Sequence, residues 1–443
     1  MKTSISYTRI WHIAYPIILG SVAQNLINFT DTAFLGRVGE IALGAGALGG
    51  LLYLAFIMLG LGFGTGAQII IARRYGENNL KQIGPVVEHS IYFLLPLALL
   101  VFLLMRYGSV FMLQYAVASQ DVYDATIDFL KYRSFGIFFA FINMIFRSFY
   151  VGLAKTKVIT YTTIVLAITN IIFDYLLIFG HYGFPELGIE GAAIASVLAE
   201  AVAMLFFIAY TYATIRFKEY DLFCFCHISF SRLRRILTIA APIMMQSFLS
   251  LFVWFIFFLL IEKLGESSLA VSNIIRSIFV VLMMPIWGFS TATNTLVSYL
   301  IGQQKSSEVM SLILKIVRLC FLGVLTIVSV GLIFPRFVLS IYTDNMLLID
   351  MGIPILYVIS IGALFLSIGF VFFNAVSGTG KTNVSLLIEM LVLVIYLSYA
   401  YLMVYMAEAP IAGVWTTEIL YGILLAVCSY VYLKKGNWKT GNV

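Results

Sequence analysis

Long apolar runs recur along the whole chain, and they limit the folds that it can adopt. Each run is about 20 residues long, the length that a helix needs to cross roughly 30 Å of hydrocarbon. Hydrophobic residues make up 62% of the 443 residues and charged residues only 11%, whereas an average soluble domain has roughly 25% charged residues. A surface with so few polar groups has to face lipid, so the sequence predicts an all-α integral membrane protein.

The spacing of the runs predicts twelve transmembrane helices and no separate domain outside the membrane. The predicted spans are 10–33, 48–72, 84–106, 126–150, 158–180, 190–215, 233–260, 272–298, 312–334, 352–376, 383–406 and 410–433. The first run is too long for a secretory signal and has no small-residue cleavage pattern, so we expect it to be retained.

Lysine and arginine are distributed unevenly among the predicted loops, which explains the net charge of +6 without a nucleic-acid partner. If the N-terminus is cytoplasmic, 18 basic residues fall on the cytoplasmic side and 6, including Arg133, on the outside. Cytoplasmic loops of membrane proteins carry this excess of positive charge. We therefore predict a multi-pass protein of the cytoplasmic (inner) membrane with both termini in the cytoplasm.

The four cysteines predict neither a disulfide framework nor a metal site. Two lie inside predicted spans, and Cys224 and Cys226 lie in a cytoplasmic connection, where thiols stay reduced. Together with His227 they would supply three ligands to a tetrahedral site that needs four. We expect no structural metal and no resident cofactor.

The chain contains an internal duplication, because an offset of 226 residues aligns most of its two halves without a gap. The identical pairs include Arg9 with Arg235, Pro16 with Pro242, Gly39 with Gly265, Gly62 with Gly288 and Gly152 with Gly378. Each copy holds six spans, an even number, so both copies enter the membrane from the same side. The duplication predicts two parallel six-helix lobes, 1–215 and 233–443, joined by a cytoplasmic linker, 216–232. Transporters built from such repeats bind their substrates between the repeats.

Polar residues that only one copy carries are the candidates for function. In the first span the spacing of three, four and three residues puts Ser21, Gln24, Asn28 and Asp31 on one helix face. Their counterparts in the second copy are Ser247, Ser250, Trp254 and Phe257. In the fifth span Asn170 and Asp174 are one turn apart, and their counterparts are Tyr396 and Ala400. The first copy therefore has two membrane acids that the second lacks at these positions.

These acids predict a cation site. A rise of about 1.5 Å per residue puts Asp31, Asp174 and Ser196 at a similar depth in the outer half of the bilayer, with Asn28 and Asn170 one turn deeper. Acids inside a membrane are costly and by default indicate function. Two adjacent carboxylates do not ionise together readily, so the pair would share a proton, and its oxygens would also suit Na⁺. The alternative is that each acid pairs with a helix terminus or lies at the outer interface, where Arg37 is near enough to pair with Asp31.

Other residues of the spans are candidates for a substrate cavity. Glu200 and Glu389 either line a central cavity that attracts cations or pack against another helix. Trp254 and Phe257 carry rings on which cationic amphiphiles stack. Gln24 and Ser21, on the polar face of the first span, complete the predicted cavity.

Four motifs together resemble the MATE (multidrug and toxic compound extrusion) family. They are Pro16 with Asp31-Thr-Ala-Phe-Leu-Gly-Arg-Val-Gly39, Gly152-Leu-Ala-Lys-Thr156, Asn170-x-x-x-Asp174 and Gly188-Ile-x-Gly-Ala-Ala193. The likeness covers essentially the whole chain and implies a V-shaped alternating-access transporter. Such a transporter exchanges H⁺ or Na⁺ for small organic compounds, often cationic or amphiphilic. The resemblance puts the cation site at Asp31, Asn170 and Asp174, and at Ser196, where the family often has threonine.

Within that family the chain is more similar to the DinF-type branch, because NorM-type members carry further acids in spans seven and ten, and span ten has none here. The alternative function is a flippase for lipid-linked oligosaccharides, but such proteins usually have basic cavities. The sequence has no His-Glu-x-x-His zinc motif and no Gly-x-Ser-x-Gly nucleophile motif, so we do not expect an enzyme. No obligate protein partner is evident.

Overall fold

The computed structural model describes residues 5–225 and 228–439, apart from the side chain of Ala116. Cys226 and His227, considered above as metal ligands, lie outside the described residues, as does Lys2 from the count of basic residues. The described residues form helices, turns and connections and contain no strand.

The first half of the chain contains eight helices and a short linker helix. They are α1 Tyr7–Val38, α2 Glu40–Gly76, α3 Ile83–Leu103, α4 Ser109–Ala116, α5 Gln120–Arg133, α6 Gly136–Gly152, α7 Lys157–Phe179, α8 Gly188–Thr214 and, in the linker, α9 Phe217–Tyr220. A π-helical turn, Leu104–Gly108, connects α3 to α4, so the two form one continuous span.

The second half contains another eight helices. They are α10 Phe230–Glu262, α11 Glu266–Gly302, α12 Val309–Ile333, α13 Pro335–Ser340, α14 Met346–Gly378, α15 Thr382–Tyr405, α16 Ile411–Trp415 and α17 Thr417–Lys435. Among the described residues, 11 helical segments are long and apolar enough to cross a membrane, and the bent pair α5–α6 makes 12. The predicted all-α membrane fold with twelve spans is confirmed.

The duplication is visible in the helix boundaries. Helix α11 begins and ends 226 residues after α2 begins and ends, and α3 and α12 begin with the same offset. Gly39 before α2 and Gly265 before α11 both have positive φ, 146° and 101°, a conformation that glycine adopts without a steric penalty. The two halves therefore share turns as well as helices.

One span differs between the copies. Helix α14 runs unbroken through Ile359, whereas its counterpart is divided after Arg133 into α5 and α6, which are bent by 50°. The predicted span over 126–150 is present, and the structure shows that it is bent at this point. The bend lies next to Arg133. The corresponding residue of α14 is the uncharged Ile359.

The chain forms two compact units whose boundaries follow the duplication. One unit is Leu19–Met244, and the other is Met1–Ile18 with Met245–Val443. Each boundary falls two residues after a proline, Pro16 in α1 and Pro242 in α10, where the helix lacks one backbone hydrogen bond. The beginnings of α1 and α10 thus belong to the unit built mainly by the other half. The sequence repeat alone does not show at which residue a helix passes from one unit to the other.

Candidate functional site

The unit Leu19–Met244 brings two acids and an amide together. Asp174 and Asn170 lie on the buried face of α7, with exposed fractions of 0% and 1%. Asp31, on α1, is half-buried and lies beside both side chains. The predicted convergence of Asp31, Asn170 and Asp174 is therefore present in the structure.

A hydrophobic cluster next to the acids explains their placement. Leu35, one turn after Asp31, packs with Ile178, which is one turn after Asp174, and with Ala192 of α8. The burial of these apolar side chains fixes α1, α7 and α8 together. Because side chains four residues apart share a helix face, the cluster also directs Asp31 and Asp174 toward each other.

The polar atoms of this site lack partners. Both carboxyl oxygens of Asp174, both amide atoms of Asn170 and Oδ1 of Asp31 are buried and make no hydrogen bond of standard geometry within the described residues. Unpaired buried polar atoms cost free energy, and native structures contain few of them. Carboxyl groups in this state are suited to take up a proton or a cation.

An internal ion pair lies next to Asp31. Arg133 donates to both carboxyl oxygens of Glu200, with Nη2–Oε1 2.7 Å and Nη1–Oε2 3.0 Å. Tyr53 of α2 donates its hydroxyl to the same carboxylate at 2.9 Å, and its ring lies 3.5 Å from the guanidinium carbon. The side chains of Arg133 and Glu200 are only 11% and 13% exposed, and Arg133 acts electrostatically on Asp31.

The sequence interpretation missed Arg133 as a site residue. Arg133 was counted among the basic residues on the outer side of the membrane. That assignment is wrong, because the structure puts its guanidinium inside the helical unit. The signal was the one that identified the acids, since the second copy has Phe279, Ile359 and Gly422 in place of Tyr53, Arg133 and Glu200. The offset is 226 for the first two and 222 for Glu200, because the loop around 181–187 is four residues longer in the first half. Arg37, the base considered for Asp31, is exposed.

Gly136 makes room for this ion pair, and we expect Gly136→Ala to destabilise the protein. A Cβ at this position would overlap the guanidinium of Arg133 and the carboxylate of Glu200. Overpacking of a filled interior costs about 1–3 kcal/mol, so thermal unfolding in detergent should show a clearly lower midpoint.

The duplication supplies the control for that substitution. Gly362 is the counterpart of Gly136, and a Cβ there would meet its nearest neighbour at an ordinary 3.5 Å. Gly362→Ala should therefore be neutral or slightly stabilising, because alanine favours a helix over glycine by about 1 kcal/mol. Equal effects of the two substitutions would contradict this account of Gly136.

The other polar residues predicted in the first half are more exposed than Asn170 and Asp174. Gln24 and Asn28 are exposed on α1, and Ser21 and Ser196 are half-buried. Their roles in cation or substrate binding stay predictions. For Glu200 the structure favours packing against other helices, since both of its oxygens are occupied.

Two of the predicted cavity residues of the second half are packed into the interior. Phe257 is 0% exposed, and its ring contacts those of Tyr396 at 5.5 Å and Trp415 at 5.4 Å. Glu389 is 1% exposed. The placement of Phe257 on a cavity wall is therefore wrong for this conformation, because neighbouring helices cover its ring. For Glu389, as for Glu200, the structure favours the alternative of packing against other helices. Trp254 is half-buried against Phe279.

The positions that hold the acids in the first half also meet in the second. Phe257 and Tyr396, the counterparts of Asp31 and Asn170, are in ring contact. The duplicated scaffold thus brings the same positions together twice, once with polar groups and once with aromatic rings. Within the described residues no group of three or more His, Cys, Asp or Glu side chains could hold a metal ion, and binding of Na⁺ at Asp31, Asn170 and Asp174 stays a prediction.

Known proteins share the sequence pattern and the fold. The profile of the MatE family matches residues 16–176 and again 242–402, two segments that are separated by the offset of the internal repeat. Together the two segments cover more than half of the chain. The family match therefore reports the duplication independently of the comparison of the chain with itself.

Relatives extend along nearly the full length. A probable multidrug resistance protein NorM of Synechocystis sp. is 26% identical over 430 residues, covering 95% of this chain and 92% of the relative. A protein of the same description from Thermotoga maritima is 24% identical and covers 96% and 92%. The similarity to the DinF-type branch stays a prediction, because these relatives are named NorM.

Solved structures show the same fold. An outward-facing multidrug resistance MATE family transporter of the MOP superfamily matches with a TM-score of 0.90 at 21% identity, covering 97% of this chain and 95% of that one. A MOP superfamily transporter from Pyrococcus furiosus matches with a TM-score of 0.88 at 20% identity. From the repeated family match, the twelve apolar spans and this fold, we conclude that the chain is an integral membrane protein that belongs to the MatE family of transporters.

Proposed function

We propose that this protein exports small organic compounds, cationic or amphiphilic, from the cytoplasm in exchange for protons. The observation that carries the proposal is the adjacent pair Asp31–Asp174 in a chain of the MatE family. Oδ1 of Asp31 and both carboxyl oxygens of Asp174 are buried without a hydrogen-bond partner among the described residues. The names of the relatives, which describe multidrug resistance, support the class of cargo.

The choice of the proton over Na⁺ rests on the number of side-chain oxygens at the site. Asp31 lies beside Asp174 and Asn170, and the Arg133 guanidinium adds a further positive charge next to it. A hard divalent cation takes about six oxygen ligands, and Na⁺ likewise binds through oxygen, whereas a proton needs one oxygen. The site therefore favours uptake of a single proton shared by the two acids.

The proposed cycle assigns simple tasks to these residues. Asp31 and Asp174 take up one proton from the outside and release it to the cytoplasm, and the hydrophobic cluster with Leu35 keeps them adjacent. Arg133, which is fixed by its ion pair with Glu200, keeps its positive charge beside them. One charge that crosses 100 mV supplies about 2.3 kcal/mol. For an uncharged cargo this energy corresponds to roughly a 50-fold concentration, at about 1.4 kcal/mol per decade. Exchange of one proton for a monovalent cation moves no net charge, so the pH gradient alone drives that exchange.

We infer that the protein lies in the cytoplasmic membrane with both termini in the cytoplasm. The support is the unequal distribution of lysine and arginine between the two sets of loops. In this orientation, export appears as accumulation of cargo inside everted vesicles.

The test is transport of ethidium and norfloxacin into everted vesicles, with a proton gradient and a Na⁺ gradient imposed separately. We expect accumulation when the vesicle interior is acidic and none with Na⁺ alone. Accumulation driven by Na⁺ at constant pH would contradict proton coupling and assign Na⁺ to the site.

The fold alone does not decide the cargo. The similar transporter from Pyrococcus furiosus is described as having a binding pocket of reverse polarity that suggests a different function. The absence of any gradient-driven accumulation of the two drugs, with the protein inserted, would instead favour a flippase or an exporter of one metabolite.

A further inference from the structure

A buried acid of the second half is not used by the proposed transport site. Glu389 lies on α15 and is 1% exposed. Its Oε1 accepts hydrogen bonds from Ser250 Oγ of α10 at 2.6 Å and from Tyr421 Oη of α17 at 2.7 Å. Its other oxygen, Oε2, is buried without a partner among the described residues. Three helices thus enclose one carboxyl group and leave one of its oxygens unsatisfied.

No basic side chain compensates Glu389. The side chains that act on it are those of Ser250 and Tyr421, and no basic side chain among the described residues is one of them. Glu200, by contrast, is paired with Arg133 at 2.7 Å. An ionised carboxylate that is buried without a counter-charge is very costly, particularly in a membrane. Glu389 therefore requires either a proton or a bound cation.

The cluster is specific to the second copy. The counterparts of Glu389, Ser250 and Tyr421 in the first copy are Thr163, Gln24 and Ala199. Thr163 satisfies its hydroxyl within its own helix, on the carbonyl of Ile159 at 2.8 Å. The scaffold therefore does not need an acid at this position, and all three members of the cluster differ between copies.

A second buried carboxyl is connected to this cluster through two tyrosines. The ring of Tyr421 contacts that of Tyr396 at 5.6 Å, and the Tyr396 hydroxyl donates to Glu418 at 2.8 Å. Glu418 is 3% exposed and lies beside Trp254. Two glutamate–tyrosine hydrogen bonds thus connect α15 with α17, and each helix supplies one glutamate and one tyrosine. The titratable groups that face Glu389 from its neighbouring helices are these tyrosines and, beyond them, Glu418.

We propose that Glu389 is a second proton-binding site of this protein, separate from Asp31 and Asp174. A proton fits better than a metal ion, because the carboxyl offers one free oxygen and its other oxygen already accepts two hydroxyl hydrogens. Protonation also adds a hydrogen-bond donor to a cluster in which acceptors lack donors. Oε1 of Gln246, one turn before Ser250, is also buried without a partner among the described residues. The site goes beyond the proposed function and shares with it only the proton as the ion.

The test is infrared difference spectroscopy of the purified full-length protein over a series of pH values, with no substrate added. A protonated carboxylic acid has its own carbonyl-stretch band, which disappears on ionisation. We expect the wild type to show a titrating band that Glu389→Gln lacks. The Asp31→Asn/Asp174→Asn variant should retain this band, as should Glu418→Gln.

Three results would overturn the proposal. They are a Glu389→Gln spectrum identical to that of the wild type, a Glu389 band that persists at every pH, and a band that responds to added NaCl at constant pH, which would indicate a Na⁺ site. Glutamine can accept the same two hydroxyl bonds, so the variant should fold, and gel filtration and thermal unfolding check that it does.

A second variant keeps the proposal testable if Glu389→Gln does not fold. Tyr421→Phe removes one of the two donors to the carboxyl and should change the pH at which the same band titrates. An unchanged midpoint would place the titrating acid elsewhere. Because this experiment measures no transport, a protein that fails to exchange protons for drugs could still show the Glu389 band, and the two proposals fail independently.

Discussion

Asp31→Asn is expected to reduce proton-driven accumulation of ethidium to the level of vesicles that lack the protein. Asparagine has nearly the shape of aspartate but cannot take up and release a proton, so the pair with Asp174 loses its exchangeable site. The same result is expected for Asp174→Asn, because one proton is shared by the two carboxyl groups. Transport in everted vesicles with an acidic interior measures both.

The thermal stability of these two variants should not fall together with their transport activity. Asp31 and Asp174 lie side by side with unpaired oxygens, and an amide at either position removes the repulsion between two carboxylates and adds a donor. Thermal unfolding of Asp31→Asn should therefore be unchanged or shifted upward. A variant that is inactive and unstable would indicate that Asp31 holds the structure rather than binds the coupling ion.

The matched control is Asp350→Asn. Asp350 is 61% exposed and pairs with Arg336 at 3.2 Å on the surface, so its loss should leave transport unchanged. Normal proton-driven export by Asp31→Asn would overturn the assignment of the site to the first half.

Arg133→Ala is expected to cause the largest loss of stability among single substitutions at the site. The substitution leaves Glu200 buried with a charge and only the Tyr53 hydroxyl as a side-chain partner. The removal of one partner from a buried ion pair costs about 3–5 kcal/mol. Chemical unfolding in mixed micelles, or thermal unfolding if the reaction is irreversible, measures the loss.

A surface pair of the same type provides the comparison. Arg336 and Asp350 are 76% and 61% exposed, and exposed pairs contribute about 0–1 kcal/mol. Arg336→Ala should therefore have a small effect. Similar losses for Arg133→Ala and Arg336→Ala would show that the interior pair is as well solvated as the surface pair.

The double variant Arg133→Met/Glu200→Met separates stability from function. Replacing both members of a buried pair with apolar side chains is often neutral or stabilising, so most of the lost stability should return. Proton-driven transport should remain impaired, because the fixed charge beside Asp31 is gone. Full transport by a stable double variant would leave the ion pair with a structural role only.

The two copies share one scaffold, so the positions at which they differ indicate function. The copies keep the same helix boundaries and differ in the groups placed inside. Positions 31 and 170 hold an acid and an amide, while their counterparts Phe257 and Tyr396 form a buried aromatic contact. A scaffold that packs twice with different interiors shows directly which polar groups it does not require.

Much of the fold and part of the candidate site can be predicted from local patterns in the sequence. Hydrophobic length predicts the spans, the repeat of glycines and prolines predicts the duplication, and helical spacing puts Asn170 and Asp174 on one face. All of these depend on neighbours within a few turns or on an offset along the chain. They are therefore properties of the amino-acid order itself, and the structure and the family match agree with them.

Contacts between distant segments could not be predicted in this way. Arg133 and Glu200 are separated by 67 residues, and Ser250 and Glu389 by 139. Periodicity shows which face of a helix is polar but not which helix covers it. The interior position of Arg133 and the burial of Phe257 were missed for that reason, and the sequence left both alternatives open for Glu389.

The sequence by itself determined the membrane fold, the two copies and the choice of Asp31 and Asp174 as candidate residues, because hydrophobicity, helical period and the repeat act along the chain. The tertiary structure alone decided which charges are paired and which buried acid remains unsatisfied. The free energy of a buried charge depends on the groups that surround it in space, and those groups come from helices far apart in the sequence.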